Sequence, residues 1–219
     1  MSEPKNEINE VAPSSIRHLI GQKAVIDQVT VALDAAQMDC RKFDHSLLVE
    51  PPGLGKSALA NIVAAEMAVQ LHEVLGQAIK SPADLNALLL AAKDQDVIHV
   101  DEAHELAKPF QTALYLALDK RKIILGGTKG GSPQSLPLND FTVLLSTTDE
   151  YNVLQPLRDR MRLLLRFQYY TQEDLATVVQ QRGNALSWEL DEFVPELIAA
   201  RSRGTPRLAL RLLQSCHRV

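Results

Sequence analysis

The chain has 219 residues, of which 46% are hydrophobic and 23% charged, and its formal net charge is −4 at pH 7. This balance excludes a disordered, collagen-like or disulfide-dense chain, and the acidic charge excludes a uniformly basic nucleic-acid binder. No apolar run approaches the roughly 18 residues that a membrane-spanning helix needs. Because Cys40 and Cys216 lie far apart and no basic-apolar leader is present, we expect a cytoplasmic protein with no membrane partner.

Strands and helices alternate over the first 170 residues. Residues 1–14 are polar and acidic and are predicted to form a flexible tail. Beyond them the alternation predicts an α/β fold with a parallel sheet flanked by helices. The predicted helices of this region cover 24–38, 81–93, 109–120 and a stretch from residue 56, and the predicted strands cover 45–49, 97–100, 141–146 and 162–169.

The pattern changes near residue 170, beyond which only helices are predicted. This change predicts a large α/β domain followed by a small all-α domain. The domains are therefore a tail at 1–14, an α/β nucleotide-binding domain at 15–170 and a helical domain at 171–219, with helices at about 172–185, 191–201 and 205–217.

A glycine-rich turn joins the strand at 45–49 to the next helix. The segment Gly53–Gly55 precedes Lys56 and Ser57, which begin that helix. Backbone N–H groups of such a turn, with the positive end of the following helix, bind the phosphates of a nucleotide. We therefore expect Lys56 to contact the β- and γ-phosphates and Ser57 to ligate Mg²⁺.

A second strand ends in two acidic residues. Val97–Val100 is followed by Asp101 and Glu102. We expect Asp101 to hold Mg²⁺, directly or through water, and Glu102 to polarise the attacking water. Either residue alone could instead cap the next helix, and the combination with Lys56 favours the catalytic interpretation.

Two histidines lie close to the acidic pair. His99 interrupts an otherwise apolar strand and is predicted to pack in the core rather than bind a ligand. His104 either connects the acidic residues to their surroundings or caps the following helix, and the sequence favours neither interpretation.

Taken together, these segments resemble the AAA+ ATPases and, among them, most closely the RuvB family of Holliday-junction branch-migration motors. The resemblance covers about residues 15–215. It implies a P-loop NTPase domain followed by an all-α lid, with ATP and Mg²⁺ as the bound groups. The implied nucleotide-binding residues are Ile20 beside the adenine, the loop residues Gly53, Leu54, Gly55, Lys56, Ser57 and Ala58, then Asp101, and Arg207 from the lid.

The catalytic residues implied by this resemblance come from two subunits. Lys56, Glu102 and the sensor-strand residue Thr147 belong to the subunit that holds ATP. Either Arg158 or Arg160 is the arginine finger of the neighbour, and the sequence does not distinguish them. Such a finger stabilises charge on the transferring phosphoryl group. The resemblance thus implies a homo-oligomeric ring, with a hexamer as the expected size.

The resemblance also implies a role in DNA recombination and repair, with branched DNA and a RuvA-like protein as partners. A hairpin with a glycine-rich tip is predicted at about 122–138, and it is similar to the one by which the family contacts RuvA. The chain stops at Val219, where the family continues into a winged-helix DNA-binding domain. Either this is a piece of a longer chain or the protein acts without its own DNA clamp, and we expect weak DNA affinity from the present chain alone.

A second interpretation retains nucleotide binding and loses hydrolysis. Glu50 stands where the phosphate loop has its first glycine, and a carboxylate beside a triphosphate is repulsive. Two further departures are Asp149–Tyr151, which lacks the family's arginine-containing turn, and Met161-Arg162, where the family has Phe-Gly. In this interpretation the chain is a regulatory, clamp-loader-like or remodelling subunit.

Overall fold

A computed structural model describes residues 13–49, 51, 53–125 and 134–217. Glu50, the tip of the hairpin predicted at 122–138 and most of the predicted tail lie outside these residues. Among the helices described, none combines the length and apolar character that crossing a bilayer requires.

Five parallel strands form the central sheet, in the spatial order β2–β3–β6–β1–β7. Two further strands, β4 and β5, pair antiparallel as a separate hairpin. The predicted α/β fold is confirmed. The strands are β1 (Ser46–Val49), β2 (Leu71–Leu75), β3 (Val97–Asp101), β4 (Lys122–Leu125), β5 (Gln134–Pro137), β6 (Thr142–Thr147) and β7 (Leu163–Arg166).

Helices cover both faces of the sheet and form the C-terminal part of the chain. In chain order the α-helices are α1 (Lys23–Met38), α2 (Lys56–Glu66), α3 (Pro82–Ala91), α4 (Lys108–Lys120), α5 (Gln155–Arg158), α6 (Gln172–Ala185), α7 (Val194–Arg201) and α8 (Pro206–His217). Short 3₁₀ turns lie at Ile16–His18, Gly76–Ala78, Ala103–Glu105 and Glu150–Asn152.

The two faces of the sheet belong to two hydrophobic clusters. Successive side chains of a strand point to opposite faces, so Leu47 packs with residues of α3 and α4, whereas Leu48 packs with residues of α1 and α2. Because both faces are covered, the central strands are apolar on both sides. This explains why short apolar runs could be recognised as strands.

The helical lid (α6–α8) has a core of its own, in which Leu175, Val179, Ile198 and Leu213 are buried together. Tyr170 packs against this cluster and against the α1/α2 cluster. Its N–H donates to the carbonyl of Gly204 at 2.9 Å. The lid is therefore joined to the α/β part by packing as well as by the chain.

The parallel register sets the carboxyl ends of three central strands side by side. Val49 of β1 is opposite Thr147 of β6, and Val100 of β3 is opposite Leu145 of β6. The loop after β1 and the acidic residues at the end of β3 consequently lie next to each other at the edge of the sheet that the carboxyl ends of the strands form. In open α/β sheets this edge is where ligands bind.

Candidate functional site

The phosphate loop runs from β1 to α2 through two glycines in left-handed conformations. Gly53 has φ +93°, and Gly55, the N-cap of α2, has φ +117° and ψ +19°. Other residues adopt such φ values only with strain. Among the described residues no side chain caps α2, so its first N–H groups are available to an anion. Glu50, which precedes this loop in the sequence, lies outside the described residues.

A cavity of about 550 Å³ opens over this loop. Its size is that of a small-molecule site. The cavity brings together ten of the predicted site residues. They are Ile20, Gly53, Leu54, Gly55, Lys56, Ser57, Ala58, Asp101, Glu102 and Arg207.

Sequence reasoning missed several other residues that line the cavity. Tyr170, Val178 and Leu210 line it, together with Arg182 and Arg211 from the lid. Arg182 is 9% exposed, and burial lowers the pKa of its guanidinium. No local motif marks these residues, because they become neighbours only when α6 and α8 fold over the α/β part.

Arg207 lies directly against the phosphate loop. Its backbone N–H donates to the carbonyl of Gly53 at 3.3 Å. A Cβ added at Gly53 would lie 3.2 Å from the Cβ of Arg207, which is a tight contact. The lid thus reaches the loop through backbone and side chain at one point.

Lys56 and Glu102 lie close together in the lining of the cavity. The Lys56 ammonium lies 3.9 Å from Glu102 Oε1, and Lys56 is only 6% exposed. Glu102 has φ +52° and ψ +50°, a left-handed conformation that is uncommon outside glycine. A Cβ on Gly76 would lie 2.5 Å from the Glu102 carbonyl oxygen. Glycine at position 76 therefore makes room for this backbone conformation.

His104 joins Glu102 to the sensor strand. Its Nε2 lies 3.4 Å from Glu102 Oε2, and its Nδ1 lies 3.1 Å from Thr147 Oγ1. Thr147 is fully buried and does not line the cavity. Of the two interpretations that the sequence left open for His104, these contacts support the connecting one.

His99 is a buried core residue with two polar partners. Its ring contacts Glu73 Oε1 at 2.9 Å and Ser146 Oγ at 2.6 Å. Burial lowers the pKa of His99, although the hydrogen bond to Glu73 opposes this effect. Because His99 and Ser146 are both fully buried, this group has no access to a ligand.

Arg158 and Arg160 lie outside the cavity. Arg158 pairs with Glu150 at 3.6 Å, and its guanidinium stands 5.7 Å from the ring centroid of Tyr151. Arg160 Nε donates to Asp119 Oδ1 at 2.8 Å, and this contact raises the pKa of Arg160. Both arginines thus have acidic partners in their own chain.

The described residues hold no group of three or more His, Cys, Asp or Glu side chains that could bind a metal ion by themselves. Mg²⁺ in nucleotide sites commonly uses one or two protein oxygens together with substrate phosphates. Ser57 and Asp101, which line one cavity with the loop, are a donor set of that kind.

Two family models match this chain. Residues 11–167 match the P-loop domain of the Holliday junction DNA helicase RuvB, and residues 170–218 match the RuvB AAA lid domain. The Holliday junction branch migration complex subunit RuvB of Koribacter versatilis (strain Ellin345) is 37% identical over 207 residues. That alignment covers 94% of this chain and 58% of the relative.

Solved structures of Thermotoga maritima RuvB are also similar. The one described as a Holliday junction branch migration motor has a TM-score of 0.83 and 33% identity, covering 93% of this chain and 64% of that chain. A mutant of the same protein gives a TM-score of 0.86 and 33% identity, covering 93% and 65%. The present chain therefore spans less than two thirds of the length of these relatives.

Proposed function

Since the chain belongs to the family of the Holliday junction helicase RuvB, through both its P-loop domain and its lid domain, we propose that it binds and hydrolyses ATP. In this proposal it is the motor subunit of a branch-migration complex that acts in DNA recombination and repair. The observation that carries the proposal is the cavity shared by the phosphate loop, the acidic end of β3 and the lid.

The residues around the cavity have complementary roles in nucleotide binding. The N–H groups at the start of α2 and the buried Lys56 ammonium bind the phosphates. Ser57 and Asp101 hold Mg²⁺, which neutralises phosphate charge when bound. Ile20 lies beside the base, and Arg207 closes the lid over the phosphates. The left-handed glycines of the loop support this assignment because their backbone can approach an anion closely.

Hydrolysis requires a base and an external cation. Glu102 orients and polarises the attacking water, and Thr147 stands on the strand beside it. Arg158 or Arg160 of a neighbouring subunit stabilises the developing charge on the phosphoryl group. The position of both arginines outside their own cavity supports an arrangement in which a ring, with six subunits as the expected number, completes each site.

The proposed partners follow from the family. The Koribacter relative is named as a subunit of the branch migration complex, and we propose branched DNA and a RuvA-like protein as partners of this protein. The β4–β5 hairpin is the proposed contact for the RuvA-like protein, although the segment 126–133 at its tip is outside the described residues.

Calorimetric titration of Mg-ATP tests the proposal. We expect the wild-type chain to bind and Lys56→Ala to lose binding. Lys93 is exposed and does not line the cavity, so the control variant Lys93→Ala should bind like wild type. Absence of binding by the wild type, or retained affinity in Lys56→Ala, would contradict the proposed site.

Glu50 favours a second candidate, a module that holds ATP without hydrolysing it and that serves as a regulatory, clamp-loader-like or remodelling subunit. The discriminating experiment compares ATP hydrolysis by the oligomeric wild type and by Glu50→Gly. A wild type that binds but does not hydrolyse, together with gain of activity in Glu50→Gly, would favour this candidate over the motor.

A further inference from the structure

Two hydrogen bonds and one close polar contact connect Glu102 to the end of β6. The Asp149 N–H donates to Thr147 Oγ1 at 3.0 Å, Thr147 Oγ1 is hydrogen-bonded to His104 Nδ1 at 3.1 Å, and His104 Nε2 lies 3.4 Å from Glu102 Oε2. These contacts therefore extend from a backbone N–H after the sensor strand to the carboxylate that is proposed to polarise water. None of the functions assigned above uses His104.

The chemistry of the groups fits one arrangement of protons. An ionised carboxylate cannot donate, so we expect the ring nitrogen that faces Glu102, Nε2, to carry a proton. In the neutral tautomer with its proton on Nε2, Nδ1 accepts from the Thr147 hydroxyl. The same hydroxyl oxygen accepts from the Asp149 N–H. Donors and acceptors thus match in a single ring tautomer.

The surroundings hold this arrangement in place. Thr147 is fully buried, and the His104 side chain is 16% exposed. His104 lies in the 3₁₀ turn Ala103–Glu105, immediately after the left-handed Glu102. Among the described residues, one other carboxylate approaches the ring, Glu105 Oε1 at 3.6 Å from Nε2. Glu102 is the nearer of the two and lines the cavity, which Glu105 does not.

We propose that His104 is a positioning residue, which orients the Glu102 carboxylate for water activation and fixes its position relative to Thr147. This inference rests on the proposed ATPase function. His104 does not line the cavity, so its contribution is to the hydrolytic step and not to the binding of ATP. It acts through Glu102 and does not touch the substrate.

Two conservative variants separate the contacts of the ring. His104→Gln retains an N–H near the position of Nε2, which can donate to Glu102. His104→Asn retains an acceptor near Nδ1, which can pair with Thr147 but does not reach Glu102. Because a misplaced catalytic group can cost about 100-fold in rate, we expect kcat to fall by up to about 100-fold in His104→Ala and His104→Asn, and to recover largely in His104→Gln. KM for ATP and the affinity for Mg-ATP should stay within about twofold of wild type in all three.

Ser146→Ala is the matched control. Ser146 precedes Thr147 on β6 and makes the same kind of bond to a β3 histidine, His99, at 2.6 Å on the opposite face of the sheet. Its loss should lower stability, because a buried partner of His99 is removed, and should leave kcat near the wild-type value. An equal loss of kcat in Ser146→Ala and His104→Ala would show that a general loosening of β6 is responsible and would overturn the proposal. So would a His104→Ala variant that hydrolyses ATP within twofold of wild type.

A second measurement does not depend on activity. Long-range proton–nitrogen NMR spectra of the nucleotide-free chain, assigned with His104→Gln, should show His104 with its proton on Nε2. Glu102→Gln should shift that Nε2 resonance. A proton on Nδ1, or no response to Glu102→Gln, would overturn the inference even if the chain proved to be no ATPase. A wild type without hydrolysis but with the expected tautomer would refute the proposed function and leave the positioning contact established.

Discussion

At the scale of single residues, burial lowers the pKa of two histidines. Burial, followed by the positive charge of Lys42, lowers the pKa of His45 to about 4. Its Nδ1 accepts the N–H of Val143 at 2.8 Å, so the neutral ring connects the residue before β1 to β6. His99 likewise has a pKa lowered by burial. Both residues are therefore neutral in the folded state over a pH range in which the same two histidines of the unfolded chain take up protons.

The lowered pKa of His45 predicts a pH dependence of stability. Between pH 6.5 and about 4 the unfolded chain binds a proton at this position that the folded chain does not bind, so the free energy of unfolding falls as the pH falls through this range. The size of the effect is about 3 kcal/mol. Urea unfolding at pH 7.5 and pH 4.5 measures it. His45→Asn, which keeps an acceptor for the Val143 N–H and does not titrate, should lose clearly less stability. Equal losses in both proteins would refute the prediction.

Residues with a local motif could be predicted as parts of the site, and residues without one could not. The phosphate loop, Asp101 and Glu102 are recognisable because a turn or a strand end carries them within a few positions. Tyr170 and Arg182 are not recognisable, because no local motif contains them and they reach the cavity only when the chain folds. Thr147 was predicted at the site, and its side chain is buried beside His104 instead of lining the cavity.

At the scale of elements, the strand with polar residues escaped prediction. β2 (Leu71–Leu75) was not predicted, and it forms one edge of the sheet. His72 bonds Asp96 at 2.9 Å, and Glu73 bonds His99 at 2.9 Å. Because of these polar residues, β2 lacks the apolar run that identified the central strands. Their partners lie more than twenty positions away in sequence, so no local pattern revealed them. The short helix α5 was missed because four residues carry no periodicity.

Gln111 on α4 ties together the segments that follow β3 and β6. It is 1% exposed, donates to the carbonyls of Leu106 and Asn152, and accepts the N–H of Leu154 at 2.7 Å. Sequence reasoning gave no reason to single it out. These bonds hold the segment after β6 against the turn that carries His104.

Gln111→Leu should destabilise the chain by about 1–3 kcal/mol, because three backbone groups lose a buried partner. Urea unfolding measures the loss. Gln28→Leu, on the exposed side of α1, is the control and should change stability by less than about 0.5 kcal/mol. A loss no larger than that of the control would show that the bonds of Gln111 are replaced by water at little cost.

At the scale of the whole molecule, the cavity and the two candidate fingers belong to different surfaces. The lid, the loop and the end of β3 line the cavity, whereas Arg158 and Arg160 lie beyond it. In the proposed ring, each copy would present its site to one neighbour and an arginine to another. This arrangement predicts that hydrolysis per chain rises with protein concentration.

Mixing two inactive variants tests this arrangement. Lys56→Ala has a disabled loop and intact arginines, and a variant in which Arg158 or Arg160 is replaced by alanine has an intact loop. We expect each variant alone to hydrolyse ATP very slowly and a mixture to regain part of the wild-type rate, since intact loops then meet intact arginines. The arginine whose variant is rescued in this way is the finger. Full activity of either arginine variant alone excludes that residue, and no rescue with either one excludes a shared site.

The internal ion pairs of these arginines have a consequence for assembly. Arg160 holds Asp119, and Arg158 holds Glu150, so neither guanidinium approaches a neighbour as an unengaged charge. In the proposed ring, docking at a neighbour's nucleotide would replace the carboxylate partner of the finger by a phosphate, and breaking the internal pair would offset part of that attraction. We therefore expect this contact between subunits to form only where the neighbour holds a nucleotide.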